Sequence, residues 1–136
     1  MYVDQPDPLI SSLCRCAAAE GIVSVMALNA KTLAIRPALE RRWADALGAF
    51  EASAERGALG VDTRADTVEE LAELFRANEV EPVTWYGVWL FADWMDLAAT
   101  EEVSGVAAVE LQASRRDPYR QLSRVFHLIG HSRANA

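Results

Sequence analysis

The sequence predicts an α/β domain, a sheet with helices on both faces, and three observations support this. The stretch Glu81–Leu97 (EPVTWYGVWLFADWMDL) holds three of the four tryptophans. Within it, both alternating faces of Val83–Phe91 are mostly apolar, which is typical of a strand covered on both sides and predicts a core strand that begins just after Pro82. Amphipathic helical stripes alternate with short apolar runs along the rest of the chain, as in β/α units.

Length and composition favour a single domain over residues 1–136. Hydrophobic residues make up 51% of the chain, which excludes a disordered tail. No apolar run approaches the ~20 residues of a membrane span, and no signal sequence begins the chain, so we expect no membrane contact. Cys14 and Cys16 lie two positions apart in a predicted helix and point in different directions. We therefore expect free thiols, no metal site and a cytoplasmic location.

The charge is acidic overall but uneven. The net charge of -7 argues weakly against broad nucleic-acid binding. Residues 115–136 nevertheless hold a single acid, Asp117, and five arginines: Arg115, Arg116, Arg120, Arg124 and Arg133. This basic segment either meets an anionic substrate or, as is more common, is a solvated edge.

The N-terminal part predicts a helix between two strands. Met1–Val3 is typical of the end of a buried strand and Asp4–Pro8 of a turn, in which Asp7 caps the next helix. That helix has one apolar stripe at helical spacing, formed by Leu9, Ile10, Leu13, Cys14 and Ala17. Gly21 ends it, and Ile22–Leu28 follows as a short buried strand.

The segment after this strand contains two candidate contact residues. Asn29 stands at the carboxyl end of the strand, where α/β sheets bind ligands, but a turn or cap residue is equally expected there. A long helix is predicted over Arg36–Ala54, with one apolar face made of Leu39, Trp43, Leu47 and Phe50. Glu55–Asp66 predicts a loop, in which Arg64 is either an anion contact or an ordinary surface arginine.

The C-terminal half predicts two further helices and a last strand. Thr67–Glu70 forms a capping box that opens an amphipathic helix to about Asn78. A third helix is predicted over Glu101–Ser114, with Val103, Val106, Ala107 and Glu110 aligned. The segment 115–120 breaks the pattern, and Arg124–Gly130 predicts the final strand.

No local motif specifies a reaction. The chain has no nucleophile motif, P-loop, paired-cysteine metal site or HExxH, and its glycines do not form the GxGxxG turn that cradles a nucleotide. His127 lies in the last strand, where a packed histidine is more common than a catalytic one, and His131 is expected at the surface. Residue patterns alone therefore indicate an α/β domain without an assigned activity.

Four stretches in order resemble class I S-adenosylmethionine-dependent methyltransferases. The first is MYVDQPDPL, which resembles the end of strand four and its turn (V-L-x-Y-V-x-D-P). The second is AAAEGIVSVMALNA, which resembles R-P-G-G-x-L-S-L-x-x-x-N. The third is YGVWLFADWMDL, which resembles G-V-R-x-F-x-D-x-L, and the fourth is RRDPYRQLSRVFHLIG, which resembles P-Y-x-x-x-x-R-x-x-H-[LV]. The chain is thus similar to the C-terminal half of this family, closest to the tRNA 5-carboxymethoxyuridine methyltransferase branch.

The resemblance implies a partial Rossmann-like methyltransferase sheet with flanking helices. It would hold the end of strand four and strands five, six and seven, with strand seven antiparallel at the edge. The family binds S-adenosylmethionine on a glycine-rich turn after strand one, which would lie upstream of Met1, so we expect no cofactor to bind this chain alone. A truncated sheet would also expose the flank of strand five to self-association.

The resemblance also implies the substrate-side residues. Its motif positions are matched by Asn29, Asp93, Tyr119, Arg124 and His127, whereas three positions depart. Ala18–Gly21 keeps only the last glycine of R-P-G-G, Trp89 replaces the arginine of G-V-R, and Ala92 replaces a polar residue. The candidates for the substrate side are Asn29, Arg64, Trp89, Asp93, Tyr119 and Arg120. No catalytic residue is assigned, because such enzymes act largely by aligning donor and acceptor.

Two functions therefore remain open. The first is the substrate-side portion of a methyltransferase, inactive alone, whose acceptor is tRNA or a small molecule. The alternative is a non-catalytic interaction or dimerisation protein derived from a methyltransferase, which the loss of arginine at Trp89 slightly favours. A nucleic-acid binder that uses the basic C-terminal segment is weaker, because the rest of the chain is acidic.

Overall fold

A computed structural model describes residues 5–57, 60–95 and 103–133. It shows an α/β fold in which helices flank a five-stranded mixed sheet. The elements are α1 (Asp7–Cys16), β1 (Ile22–Asn29), α2 (Ile35–Leu39), α3 (Trp43–Ala49), β2 (Ala54–Arg56), β3 (Asp62–Asp66), α4 (Val68–Ala77), β4 (Val80–Val88), α5 (Val103–Ala113) and β5 (Val125–Ser132). Short 3₁₀ turns span Ala30–Thr32 and Tyr119–Leu122.

The strands lie in the order β2-β3-β1-β5-β4. Because β5 is antiparallel to both β1 and β4, those two strands run parallel to each other and are joined through α4. The resemblance implied that the antiparallel last strand lies at the edge of the sheet, and that expectation is wrong, because β5 lies between β1 and β4. Helix α4 links β3 to β4, and β5 fills the position between β1 and β4 with pairs along both of its sides. On its side away from β5, β1 pairs with β3 through Leu28 and Asn29 alone, as far as the described residues show.

The core lies on one face of the sheet. Alternate residues of β1 point to α1 and α4, and the buried cluster there includes Ile10, Val23, Val25, Ala27, Leu71, Phe75, Phe126 and Leu128. Each fully buried leucine or phenylalanine of this kind contributes about 1.5–3 kcal/mol. We call the opposite side the open face; its residues are Ile22, Ser24, Met26, Tyr86, His127 and Ile129. Ile22, Ser24 and Met26 are exposed, so the described elements leave this part of the open face uncovered. At the carboxyl end of β1 the same face is covered, because Leu28 is buried in a second, smaller cluster with Leu33 and Ala65. The prediction that helices cover both faces is therefore confirmed only at that end of the sheet.

The aromatic strand β4 lies at the edge of the sheet. It begins at Val80, before Pro82, and its register with β5 shifts between Pro82 and Thr84. Proline is tolerated there because the N–H it lacks is not needed at an edge or bulge. Val83 is exposed. The aromatic strand is therefore an edge strand despite its apolar residues. The prediction of a core strand that begins just after Pro82 is wrong in both its position and its start.

The predicted long helix over Arg36–Ala54 is two short helices, α2 and α3. Arg41 lies between them with a φ of 60°, a left-handed conformation that no α-helix continues through. The predicted apolar face is exposed rather than buried, at 61–72% for its four members, Leu39, Trp43, Leu47 and Phe50. We call these four residues the apolar ridge. The buried residues of these two helices are Pro37 and Ala46.

The predicted loop Glu55–Asp66 contains the hairpin β2–β3. Its short strands carry few apolar residues, so periodicity gave no signal. The end of β3 runs parallel to the end of β1, with Ala65 opposite Leu28 and Asp66 opposite Asn29. This pairing brings two polar side chains together at one edge, and Asp66 is only 1% exposed.

Several local predictions are confirmed. Thr67 and Glu70 form the full capping box, in which the Thr67 hydroxyl accepts from Glu70 N and the Glu70 carboxylate accepts from Thr67 N. Both cysteines are free.

One cap prediction is wrong: Asp7 is the first residue of α1 and not its cap, which is Pro6. The strand predicted at Met1–Val3 lies outside the described residues. So do Glu101 and Glu102, the first two residues of the helix predicted over Glu101–Ser114, whose described part is α5.

Neither a membrane span nor a metal site is found in the described ranges. None of their helices is long and apolar enough to cross a bilayer. Their His, Cys, Asp and Glu side chains nowhere form a group of three or more that could hold a metal ion.

Candidate functional site

Asn29 closes the carboxyl end of β1. Its Nδ2 donates to the backbone oxygens of Ser123 (3.0 Å) and Gln121 (3.3 Å), and its Oδ1 accepts from Lys31 N (3.1 Å). The side chain is buried, and these bonds tie β1 to the turn that leads into β5. Of the two interpretations left open for Asn29, the structure shows the turn and cap role.

A cavity of about 290 Å³ lies beside Asn29 at the N-terminal end of α4. Its lining includes Lys31 and Glu69, whose side chains form a 2.8 Å ion pair, and this hydrogen bond lowers the pKa of Glu69. Trp85 forms part of the wall, and the guanidinium of Arg120 stacks 4.3 Å from the centre of its ring. Arg120 also donates to both oxygens of Asp117, so its charge is already matched.

Asp93 lies in a network of four charged side chains. It accepts from Arg36 at 2.6 Å and from Arg124 at 3.4 Å, while Arg124 also donates to both oxygens of Glu55 at 3.0 and 3.1 Å. The Asp93 side chain is 7% exposed. The network joins α2, β2, the segment after β4 and the residue before β5. Asp93 and Arg124 thus hold the carboxyl end of the sheet together.

A larger cavity, of about 440 Å³, lies between the end of β4 and α5. We call it the β4–α5 cavity; its lining residues are Tyr86, Gly87, Val88, Trp89, Ala107, Glu110, Leu111, Ser114 and Arg115. Trp89 is 57% exposed and has a φ of 58°. The Arg115 guanidinium lies 5.8 Å from the centre of the Tyr86 ring.

Glu110 fixes the wall of this cavity. Its Oε2 accepts from Leu90 N (3.1 Å) and its Oε1 from Ala92 N (2.7 Å), while Gly87 N donates to Ser114 O (2.9 Å). These bonds hold the C-terminal end of α5 against the segment that follows β4. Sequence reasoning missed Glu110, Tyr86 and Arg115 as lining residues. A signal existed for Glu110, which is a carboxylate within an otherwise apolar helical stripe.

The six predicted substrate-side residues do not meet in one site. Trp89 lines the β4–α5 cavity, and Asn29 lines the cavity beside α4. Arg120 is not among the lining residues of the second cavity, but it stacks on Trp85, which is. Asp93 belongs to the ion network. Tyr119 is exposed and packs 6.5 Å from Phe91, at a third cavity of about 240 Å³. Arg64 donates to Asp66 at 2.7 Å.

The basic C-terminal segment is largely neutralised by internal contacts. Arg120 pairs with Asp117, Arg124 with Glu55 and Asp93, and Arg133 with Glu81. His127, which the resemblance also matched, lies on the open face with its Nε2 2.5 Å from Ser24 Oγ. Three of the five arginines of this segment therefore already have carboxylate partners, whereas Arg115 and Arg116 have none within ion-pair distance among the described residues.

The carboxyl end of β1 has no glycine-rich turn. The strand leads into the 3₁₀ turn Ala30–Thr32, which contains no glycine that would let the backbone approach a nucleoside. Asp66, a buried acid at the carboxyl end of β3, is turned toward Arg64. Among known proteins, neither a protein-family model nor a curated sequence matches this chain.

Proposed function

We propose that this chain is the substrate-side portion of an S-adenosylmethionine-dependent methyltransferase and acts only with a cofactor-binding portion. The contact between Asp93 and Arg124 is the observation that carries this proposal. The two residues belong to the third and fourth stretches of the resemblance and are 31 positions apart in sequence. A chance resemblance in two separate stretches gives no reason for their matching residues to meet in one ion network.

The sheet supports the proposal in two further ways. Strand β5 is antiparallel to its neighbours, as the resemblance implies for the last strand, and two cavities lie near the carboxyl ends of β1 and β4. Ligands bind at that end in open α/β sheets. The open face offers apolar surface on which a cofactor-binding portion would pack.

A small molecule is the better acceptor for this proposal than tRNA. Binding to a nucleic-acid backbone requires arginines and lysines that are free to neutralise phosphates. Here the net charge is -7, and three of the C-terminal arginines are held by carboxylates within the chain. The cavities, in contrast, have sizes suited to small molecules.

The test compares the 136-residue chain with a version extended by the codons in frame before Met1. Calorimetric titration of the chain alone with S-adenosylhomocysteine should give no saturable heat up to millimolar ligand. The extended protein should bind it and transfer a labelled methyl group from S-adenosylmethionine to an acceptor. The proposal is wrong if the extension encodes no strand followed by a glycine-rich turn, or if the chain alone binds the ligand.

The alternative is a non-catalytic interaction or dimerisation protein, and the apolar ridge favours it. Four large apolar side chains exposed within twelve residues are unusual on a monomer surface, and apolar patches of this kind mark association surfaces. Sedimentation analysis of the chain and of Leu47→Ser tests it. Self-association that the substitution weakens, with unchanged thermal stability, would support the alternative; a monomer at all concentrations would count against self-association.

A further inference from the structure

We propose that the β4–α5 cavity binds an aromatic carboxylate. Arg115 would meet the carboxylate, and the rings of Tyr86 and Trp89 would contact the aromatic group. This inference goes beyond methyl transfer and does not depend on it, because the contacts it uses lie between described residues of this chain.

The size and lining of the cavity fit a small planar ligand. Its volume of about 440 Å³ lies within the range of small-molecule sites, which are mostly apolar with a few placed polar groups. Val88, Ala107 and Leu111 supply the apolar wall and two aromatic rings stand beside them. Aromatic rings contact one another favourably in stacked or edge-to-face arrangements, which selects a flat aromatic ligand over an aliphatic one.

Arg115 supplies the charge preference. Arg120, Arg124 and Arg133 each lie within ion-pair distance of a carboxylate, whereas no described carboxylate lies within that distance of Arg115. The contact it makes is with the Tyr86 ring. A guanidinium in this state can offer its fork of N–H donors to a carboxylate, a charge-assisted pair that is about twice as strong as a neutral hydrogen bond.

Among the described lining residues Glu110 is the one acid, and its oxygens are already engaged. Each accepts a backbone N–H, from Leu90 and Ala92, so the carboxylate is held in the wall by two donors. Hydrogen bonds to the charged form offset part of its field. If Glu110 nevertheless dominated the cavity, a cationic ligand would bind better than an anionic one, and the experiment below separates the two cases.

The backbone of Trp89 supports a ligand role for its ring. A φ of 58° is strained for a bulky aromatic residue. It is held by the bond from Arg124 N to Trp89 O (3.1 Å), and strain of this kind clusters at binding sites. The resemblance has an arginine at this position, and Trp89 removes that cation. The fold brings Arg115 to the same cavity, so a cation is present there with an added ring.

The experiment titrates the 136-residue chain with three probes that share one ring system and differ in charge: 2-naphthoate, neutral 2-naphthamide and cationic 2-naphthylmethylamine. Calorimetry should show 2-naphthoate binding roughly three- to tenfold more tightly than the other two, as one partly exposed charge-assisted pair allows. In two-dimensional NMR the indole N–H signal of Trp89, assigned with Trp89→Phe, should shift on titration.

Matched variants locate the preference. Arg115→Gln should bind the acid and the amide equally, and Arg115→Lys should keep part of the preference for the acid. Arg116→Gln is the control, since Arg116 lines the separate cavity beside Tyr119 and should leave all three affinities unchanged. Trp89→Ala should weaken all three probes.

Three outcomes would overturn the inference. They are the absence of saturable binding by every probe, tighter binding of the amine than of the acid, and a preference for the acid that survives in Arg115→Gln. Because Arg115 is exposed, its variants should fold, and circular dichroism verifies this. None of these results bears on the methyltransferase proposal, which is tested with the extended protein and S-adenosylhomocysteine.

Discussion

Gly87 in β4 lies against the backbone of Arg120, so closely that a Cβ on Gly87 would be 2.8 Å from Arg120 Cα and 2.9 Å from Arg120 O. Real Cβ atoms essentially never approach backbone atoms this closely, so the contact requires glycine. It lets the 3₁₀ turn Tyr119–Leu122 pack on the strand, which places the Arg120 guanidinium over Trp85 and the turn's carbonyls within reach of Asn29.

The first prediction concerns this contact. Gly87→Ala should destabilise the protein by about 2–3 kcal/mol, because the turn must move away from β4 to admit the methyl group. Urea unfolding measures the change. Gly48→Ala is the control: apart from its own helix backbone, no heavy atom lies within 4 Å of the added Cβ. Alanine in the last turn of α3 should stabilise the protein by up to about 1 kcal/mol. Equal effects of the two substitutions would show that the turn does not pack on Gly87.

The second prediction concerns the ion network. Asp93→Ala should reduce the free energy of unfolding by about 2–3 kcal/mol, since it leaves Arg124 without one of its two carboxylate partners and Arg36 without its own. Loss of one partner from a fully buried pair costs about 3–5 kcal/mol, and the exposure of Arg36 reduces this. Asp45→Ala removes an exposed pair with Arg42 and should cost less than about 1 kcal/mol. A cost for Asp93→Ala no larger than this control would contradict a role in holding the sheet end.

The third prediction follows from the left-handed backbone of Trp89. Trp89→Gly should be more stable than Trp89→Ala by about 1 kcal/mol, because only glycine adopts this conformation without strain. Both variants lose the same ring contacts, so the difference between them isolates the backbone term. Thermal unfolding of the pair provides the measurement, and an alanine variant as stable as the glycine variant would argue against a positive φ.

The fourth prediction concerns the two thiols. Burial raises the pKa of Cys14 from its ordinary value of 9.0, whereas Cys16 is exposed. At pH 8, iodoacetamide should therefore label Cys16 on the order of a hundredfold faster than Cys14, as peptide mass spectrometry would show. Comparable labelling rates would mean that α1 does not bury Cys14 on the sheet.

The same shift predicts a change in stability at alkaline pH. A thiol whose pKa is higher in the folded state contributes stability that is complete below the unfolded pKa, near 9. That stability is lost as the pH rises toward the folded pKa. The free energy of unfolding should therefore fall more steeply above pH 9 in the natural chain than in Cys14→Ser. Parallel pH profiles would show that Cys14 is not buried as a thiol.

Sequence patterns predicted the elements that depend on nearby residues. The capping box at Thr67 and the apolar stripes of α1 and α4 place their helices directly, because hydrogen bonds and side-chain contacts three or four residues apart decide them. Failures came where a distant partner decides the outcome. The hairpin β2–β3 forms because β3 pairs with the end of β1, and no local signal announces such a pair.

The candidate cavity was predicted only in part, for the same reason. Trp89 was identified through its place in the resemblance. Tyr86 lies three residues before Trp89 in the sequence, and Arg115 lies twenty-six residues after it. Their meeting depends on α5 packing beside β4 through Glu110. Asp93 and Arg124, which the resemblance also singled out, proved to hold the structure together.

Residue patterns predicted the α/β class, the helix–strand units around β1 and β4 and the free cysteines, and the resemblance predicted the antiparallel direction of the last strand. The tertiary structure alone decided that β5 lies between β1 and β4, that the aromatic strand is an edge, and that the apolar ridge faces outward. The physical reason is that periodicity records which residues are apolar, whereas the surface that covers them is chosen by pairing and packing between segments far apart in the chain.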